Sequence, residues 1–140
     1  MKKMKLTMGD YVVYATLHDD VIPKTIAAIE AGTPATGVIR HAKICDNEWM
    51  LPMPFAIDVD EPNNKIRPVV GDIGYNRLGQ FFCSWYDDMV PLGYTNLVAT
   101  IAKEDLPEYK KQMHEIWAHP GKKVTVDIGS NDILFKKYPF

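Results

Sequence analysis

The stretch that decides the fold is Gly71-Asp72-Ile73-Gly74-Tyr75, continued by Gln80-Phe81-Phe82-Cys83-Ser84-Trp85 and Gly93-Tyr94-Thr95-Asn96-Leu97-Val98-Ala99-Thr100-Ile101. Aromatic and β-branched residues come in short runs broken by glycine and asparagine, the pattern of strands joined by turns. Along residues 80–85 a period of two separates Phe81, Cys83 and Trp85 from Gln80, Phe82 and Ser84, so one set is expected to face an interior. The stretch carries no complete catalytic motif. Nor does the chain hold a phosphate-binding glycine loop, a Gly-x-Ser-x-Gly elbow or a zinc cluster.

Toward the N-terminus, Met4, Leu6 and Met8 alternate with polar residues, Gly9-Asp10 turns the chain, and residues 11–17 resume the alternation as the second arm of a hairpin. A helix over 23–31 starts at Pro23, buries Ile22, Ile26 and Ile29, and stops at Gly32. Residues 36–45 are predicted as one strand, with Val38, Arg40, Ala42 and Ile44 on one face and Ile39, His41 and Lys43 on the other. Asp46-Asn47 turns into a strand over 48–51. Residues 52–68, rich in proline, asparagine and acids, form a long surface connection.

Toward the C-terminus, a second helix over 105–118 takes Asp105 as N-cap, Pro107 in its first turn and Glu108 to close a capping box. Leu106, Tyr109, Met113, Ile116 and Trp117 form its buried stripe. Residues 124–128 and 133–135 flank a turn over 129–132 as a closing hairpin. Eight or nine short strands and two helices predict a mainly β chain: a single domain over 1–140, closed into a β-barrel that leaves no exposed edges.

Apolar residues make up 46% of the 140 and charged residues 24%, an ordinary globular balance. A net charge of −2 offers no basic footprint for nucleic acid, and no apolar run reaches the ~20 residues that span a bilayer. The charged start lacks an apolar stretch of signal-peptide type. A cytoplasmic protein without nucleic-acid or membrane partners is expected, with no cofactor, no metal, and Cys45 and Cys83 reduced. The apolar span over 51–55, with Met53, is expected at the surface and predicts a two-fold homodimer.

Several segments together resemble the cyclophilins: Val21-Ile22-Pro23-Lys24-Thr25, Gly79-Gln80-Phe81-Phe82-Cys83, and residues 93–101. The order and spacing extend over most of the first 101 residues. Small bacterial cyclophilin-like proteins of unassigned function are more similar still, on His41-Ala42, Glu48-Trp49 and the Gly71 to Tyr75 segment. The resemblance implies a cyclophilin-like barrel. The prolyl isomerase chemistry carries over only in part, because Ala42 stands where that family has its transition-state arginine, Val90 where it has a pocket tryptophan and Thr95 where it has a pocket histidine. Gln80 and the Phe81-Phe82 pair are the pocket positions that match.

His41 is the central candidate, since imidazole titrates near ~6.5 and suits acid–base work. Glu48, across a short turn, is expected within cross-strand reach as its partner. Pairing would raise the histidine pKa and burial would lower it. Arg40 and Lys43 supply positive charge, while Trp49, Tyr75, Phe82, Trp85 and Tyr94 are the candidate aromatic wall of a pocket at the barrel mouth. Core packing is expected to use at least half of these aromatics. Three readings fit: a small-molecule-binding protein or accessory subunit, a small enzyme acting on an amide- or imide-type carbonyl compound with His41 as acid–base, and, ranked last, a residual peptidyl-prolyl isomerase. A Cys83 nucleophile with His41 as its base is the minor alternative to a buried, inert thiol.

Overall fold

The computed structural model describes residues 1–63, 67–90, 93 and 95–130. Tyr94 and the second arm of the expected closing hairpin lie outside these residues. Among these described residues, nine antiparallel strands, β1 to β9 in chain order, form one sheet in the order β3-β9-β1-β2-β8-β6-β7-β5-β4. The two edges are β3 (Ala35–Val38) and β4 (Arg40–His41), which only Ile39 separates in the chain. One extended segment therefore pairs with β9 (Lys123–Gly129) at its start and with β5 (Asp46–Pro52) at its end, and it draws the sheet into a nearly closed barrel.

Alternation places the core. In the hairpin of β1 (Lys3–Met8) and β2 (Tyr11–Leu17), Leu6 sits opposite Val13 and Met4 opposite Ala15, all buried inward. Gly9 makes the turn with φ of 61°, a left-handed conformation open to glycine at little cost. Helix α1 (Pro23–Ala31) buries Ile26 and Ile29 in this core, together with Ile22 just before it. Helix α2 (Leu106–Ala118) buries Tyr109, Met113 and Ile116, with Leu106 and Trp117 packed at the margin.

Three local expectations change. The predicted strand over 36–45 ends at His41, because Lys43–Cys45 winds into a 3-10 turn and Asp46, at φ 65°, reverses the chain. Asp105 makes no side-chain cap, since the turn Lys103–Asp105 already holds it in helical conformation; Glu108 bonds Gln112 instead. Gly32 ends α1 without a left-handed φ, and its missing side chain makes room for the Phe55 ring, which a Cβ would meet at 2.5 Å.

The connection after β5 is anchored rather than loose. Met53 and Ile57 are buried. The Glu61 carboxylate accepts the amides of Lys24 and Thr25, occupying the positive N-terminus of α1. Within the span over 51–55 that motivated a dimer, Leu51 and Met53 lie in this chain's own core, and Pro54 with part of Phe55 is left at the surface.

Candidate functional site

Strand pairing settles which candidates meet. His41 stands opposite Trp49, and Trp49 opposite Ser84, on the inner face. Glu48 stands opposite Trp85 on the outer face. His41 and Glu48 are therefore on opposite sides of the sheet, and the expected acid–base pair does not form. The cause is a one-residue parity: successive side chains alternate faces, so an offset of one in register separates two groups completely.

On the inner side, His41 Nε2 and the Tyr86 hydroxyl of β7 (Phe81–Met89) lie 2.8 Å apart. Its ring meets Trp117 of α2 edge-on, with centroids 5.0 Å apart. Its Nδ1 is shielded from solvent and has no hydrogen-bond partner among the described residues. Lys43, past the turn, places its ammonium 5.0 Å from the Trp117 ring centroid. Arg40, His41, Lys43 and Trp117, floored by Ile39 and closed by Pro120, line an open groove of about 360 Å³. Next to it, Asp87 bonds His114 at 2.8 Å and pairs with Lys110, and the His114 ring stands edge-on to Tyr86. Asp87 is thus a pairing residue, held below the usual carboxylate range first by the His114 bond.

Burial, with Lys43 and His114 adding repulsion, pushes the His41 pKa down from 6.5 to about 4. The imidazole is neutral at neutral pH, and the unfolded chain takes up its proton first as pH falls. The stability His41 confers is present above pH ~6.5 and is lost on descent toward pH 4. At ~1.4 kcal/mol per unit, discounted for partial exposure, we predict that wild type loses about 2 kcal/mol relative to His41→Gln between pH 7 and pH 4. Paired denaturation curves at the two pH values measure this, and a constant gap would mean that His41 titrates normally.

On the outer side, Trp85 Nε1 donates to Glu48 Oε1 at 2.8 Å, and the Cys45 side chain also bonds the carboxyl. Cys83 lies on this face too, away from His41, and burial drives its thiol pKa far up. The nucleophile–base pairing of Cys83 with His41 is thereby removed. The aromatic wall divides as well: Trp49, Tyr75 and Phe82 are inner-core residues, and Trp85 is an outer one. Gln80, in the turn before β7, donates to the Phe55 carbonyl at 2.9 Å. Missing from the sequence expectations were Tyr86, in phase with Phe82 and Ser84, and Trp117, whose helical spacing spoke only for core.

No family model and no curated protein matches the chain. Solved structures do match in fold. McbB in complex with tryptophan superposes with a TM-score of 0.75 at 13% identity, over 91% of this chain and 44% of McbB. The chain thus spans less than half the length of McbB. The hypothetical protein AF2241 from Archaeoglobus fulgidus superposes with a TM-score of 0.64 at 17% identity, over 89% of this chain and 92% of that one. At these identities the likeness is one of fold.

Proposed function

We propose that this cyclophilin-like barrel is a small-molecule-binding protein whose inner groove takes a small aromatic carboxylate. The carrying observation is the half-buried, neutral His41 ring set between two exposed cations and the indole of Trp117 along one groove. Arg40 and Lys43 match a carboxylate, and Trp117 with the half-buried His41 ring matches a flat apolar body. The fold shared with McbB, solved with the aromatic amino acid tryptophan, supports this ligand class. An imidazole held near pH 4 is a weak base at neutral pH, so binding fits the geometry better than the carbonyl-enzyme alternative.

The test is calorimetric titration with indole-3-carboxylate and benzoate against their neutral amides. The acids are expected to bind and the amides to bind at least tenfold more weakly. His41→Ala should weaken acid binding about tenfold through lost ring contact in the groove, and cost about 1–3 kcal/mol of stability because it leaves the buried Tyr86 hydroxyl without its partner. Equal titration of wild type and His41→Ala by the same acid would make His41 structural.

A further inference from the structure

The outer face of the same strands holds a second concavity, unconnected with the groove. Its cavity of about 260 Å³ lies over β5, β6 (Asp72–Asn76) and β7, bounded by Thr95 and Asn96 just before β8 (Leu97–Ile101). Glu48 lines it with Trp85, Phe81, Asn76 and Asn96. Glu48 is only 9% exposed. Among the described residues, no lysine, arginine or histidine forms an ion pair with Glu48, unlike Glu30 with Lys2 or Asp87 with Lys110 and His114. Its partners, the Trp85 indole and the Cys45 thiol, are neutral dipoles.

A carboxylate removed from water and given no counter-charge is costly, and buried charges are normally paired. Here the uncompensated group borders a cavity, with aromatic side chains on the same wall. An aromatic face attracts cations through its quadrupole, and a carboxylate fixes their position. We propose that this pocket is a second binding site, for a small organic cation such as an amine or amidine, with Glu48 as counter-ion and Trp85 and Phe81 as aromatic wall. The volume suits a ligand of single-ring size, being below the ~300–1,000 Å³ of ordinary drug-sized sites.

Proton linkage follows from the groups that face Glu48. These are Cys45, Cys83 and Trp85, and none of them supplies positive charge. Burial raises the Glu48 pKa, with the two dipolar bonds working against it. A cation binds the ionised form, so its affinity increases with pH through the titration of the empty site and levels off above it.

The experiment is titration of the intact chain with benzamidinium and benzylammonium, with benzamide as the uncharged control, from pH 5 to 8. Both cations should saturate, more tightly at higher pH, and benzamide should bind at least tenfold more weakly. Glu48→Gln keeps an acceptor for the Trp85 indole and should lose at least tenfold in cation affinity. His41→Ala, on the other face, should leave it unchanged. Discrimination of the cations from benzamide and the rise of cation affinity with pH, both read on the wild type, give the same answer should Glu48→Gln fail to fold. No saturable cation binding, or equal binding of benzamide, would each overturn the site. Failure of the aromatic-carboxylate groove would leave these outcomes untouched.

Discussion

Gly37→Ala is expected to lower stability by about 3 kcal/mol, near the upper end of overpacking costs, and the melting temperature by roughly 10 °C. A Cβ at this position would stand 2.2 Å from the Pro52 carbonyl oxygen, with the Met53 and Leu51 side chains at 3.0 and 3.1 Å. The first neighbour decides the size of the effect, because it is backbone and has no rotamer to retreat into. At Gly74 the nearest atom, 2.1 Å away, belongs to the Thr95 side chain, which can turn aside. Gly37 has no left-handed φ, so the effect comes from space alone. It sits in β3, paired with Val124, where the segment joining the two sheet edges runs close over the end of β5. Pushing that segment outward would also carry Arg40 and His41 away from Trp117. Thermal denaturation measures the result, and a loss below about 1 kcal/mol would mean that the sheet edges meet less tightly than the geometry states.

The fold was legible because its signals are local. Alternation in residues 3–8 and 11–17 and the spacing of Ile22, Ile26 and Ile29 specify their elements without reference to the rest of the chain. The site was not legible, because it depends on pairing across strands. Whether His41 meets Glu48 turns on a single residue of register, and the 3-10 turn at Lys43–Cys45 sets that register by bringing the chain back with Trp49 opposite His41. Periodicity cannot locate such a shift, since residues 36–45 alternate equally well as one unbroken strand. The aromatics met the same limit. Phe82 and Trp85 were predicted to share a pocket, yet both faces of β7 are buried: Phe82 and Tyr86 join the main core, while Cys83, Trp85 and Leu97 form a second apolar cluster outside it. A buried-on-both-sides strand reads as an apolar run, and nothing in the run says which side holds the cavity.

Tyr109→Phe is expected to cost about 2–3 kcal/mol, more than a surface hydroxyl ever would. The Tyr109 hydroxyl accepts from Trp49 Nε1 at 2.5 Å and donates to Ser84 Oγ at 2.6 Å, while Ser84 Oγ donates onward to the Asp72 carbonyl at 2.6 Å. Trp49, Ser84 and Tyr109 are each fully buried. Removing one oxygen therefore leaves the indole N–H without an acceptor and takes a donor from Ser84, in a place water does not reach. Tyr11 supplies the control, because its hydroxyl is buried with no partner among the described residues, so Tyr11→Phe should stay within about 0.5 kcal/mol of wild type. The consequence extends to the groove, since the hydroxyl ties α2 to the inner face of β5 and β7, and the same helix carries His114 and Trp117 to Tyr86 and His41. Tyr109→Phe should accordingly weaken aromatic-carboxylate binding while cation binding on the outer face holds. Equal stability of the two variants in denaturant would mean that the chain from Trp49 to Asp72 adds nothing beyond apolar packing, and α2 would then owe its position to Met113 and Ile116 alone.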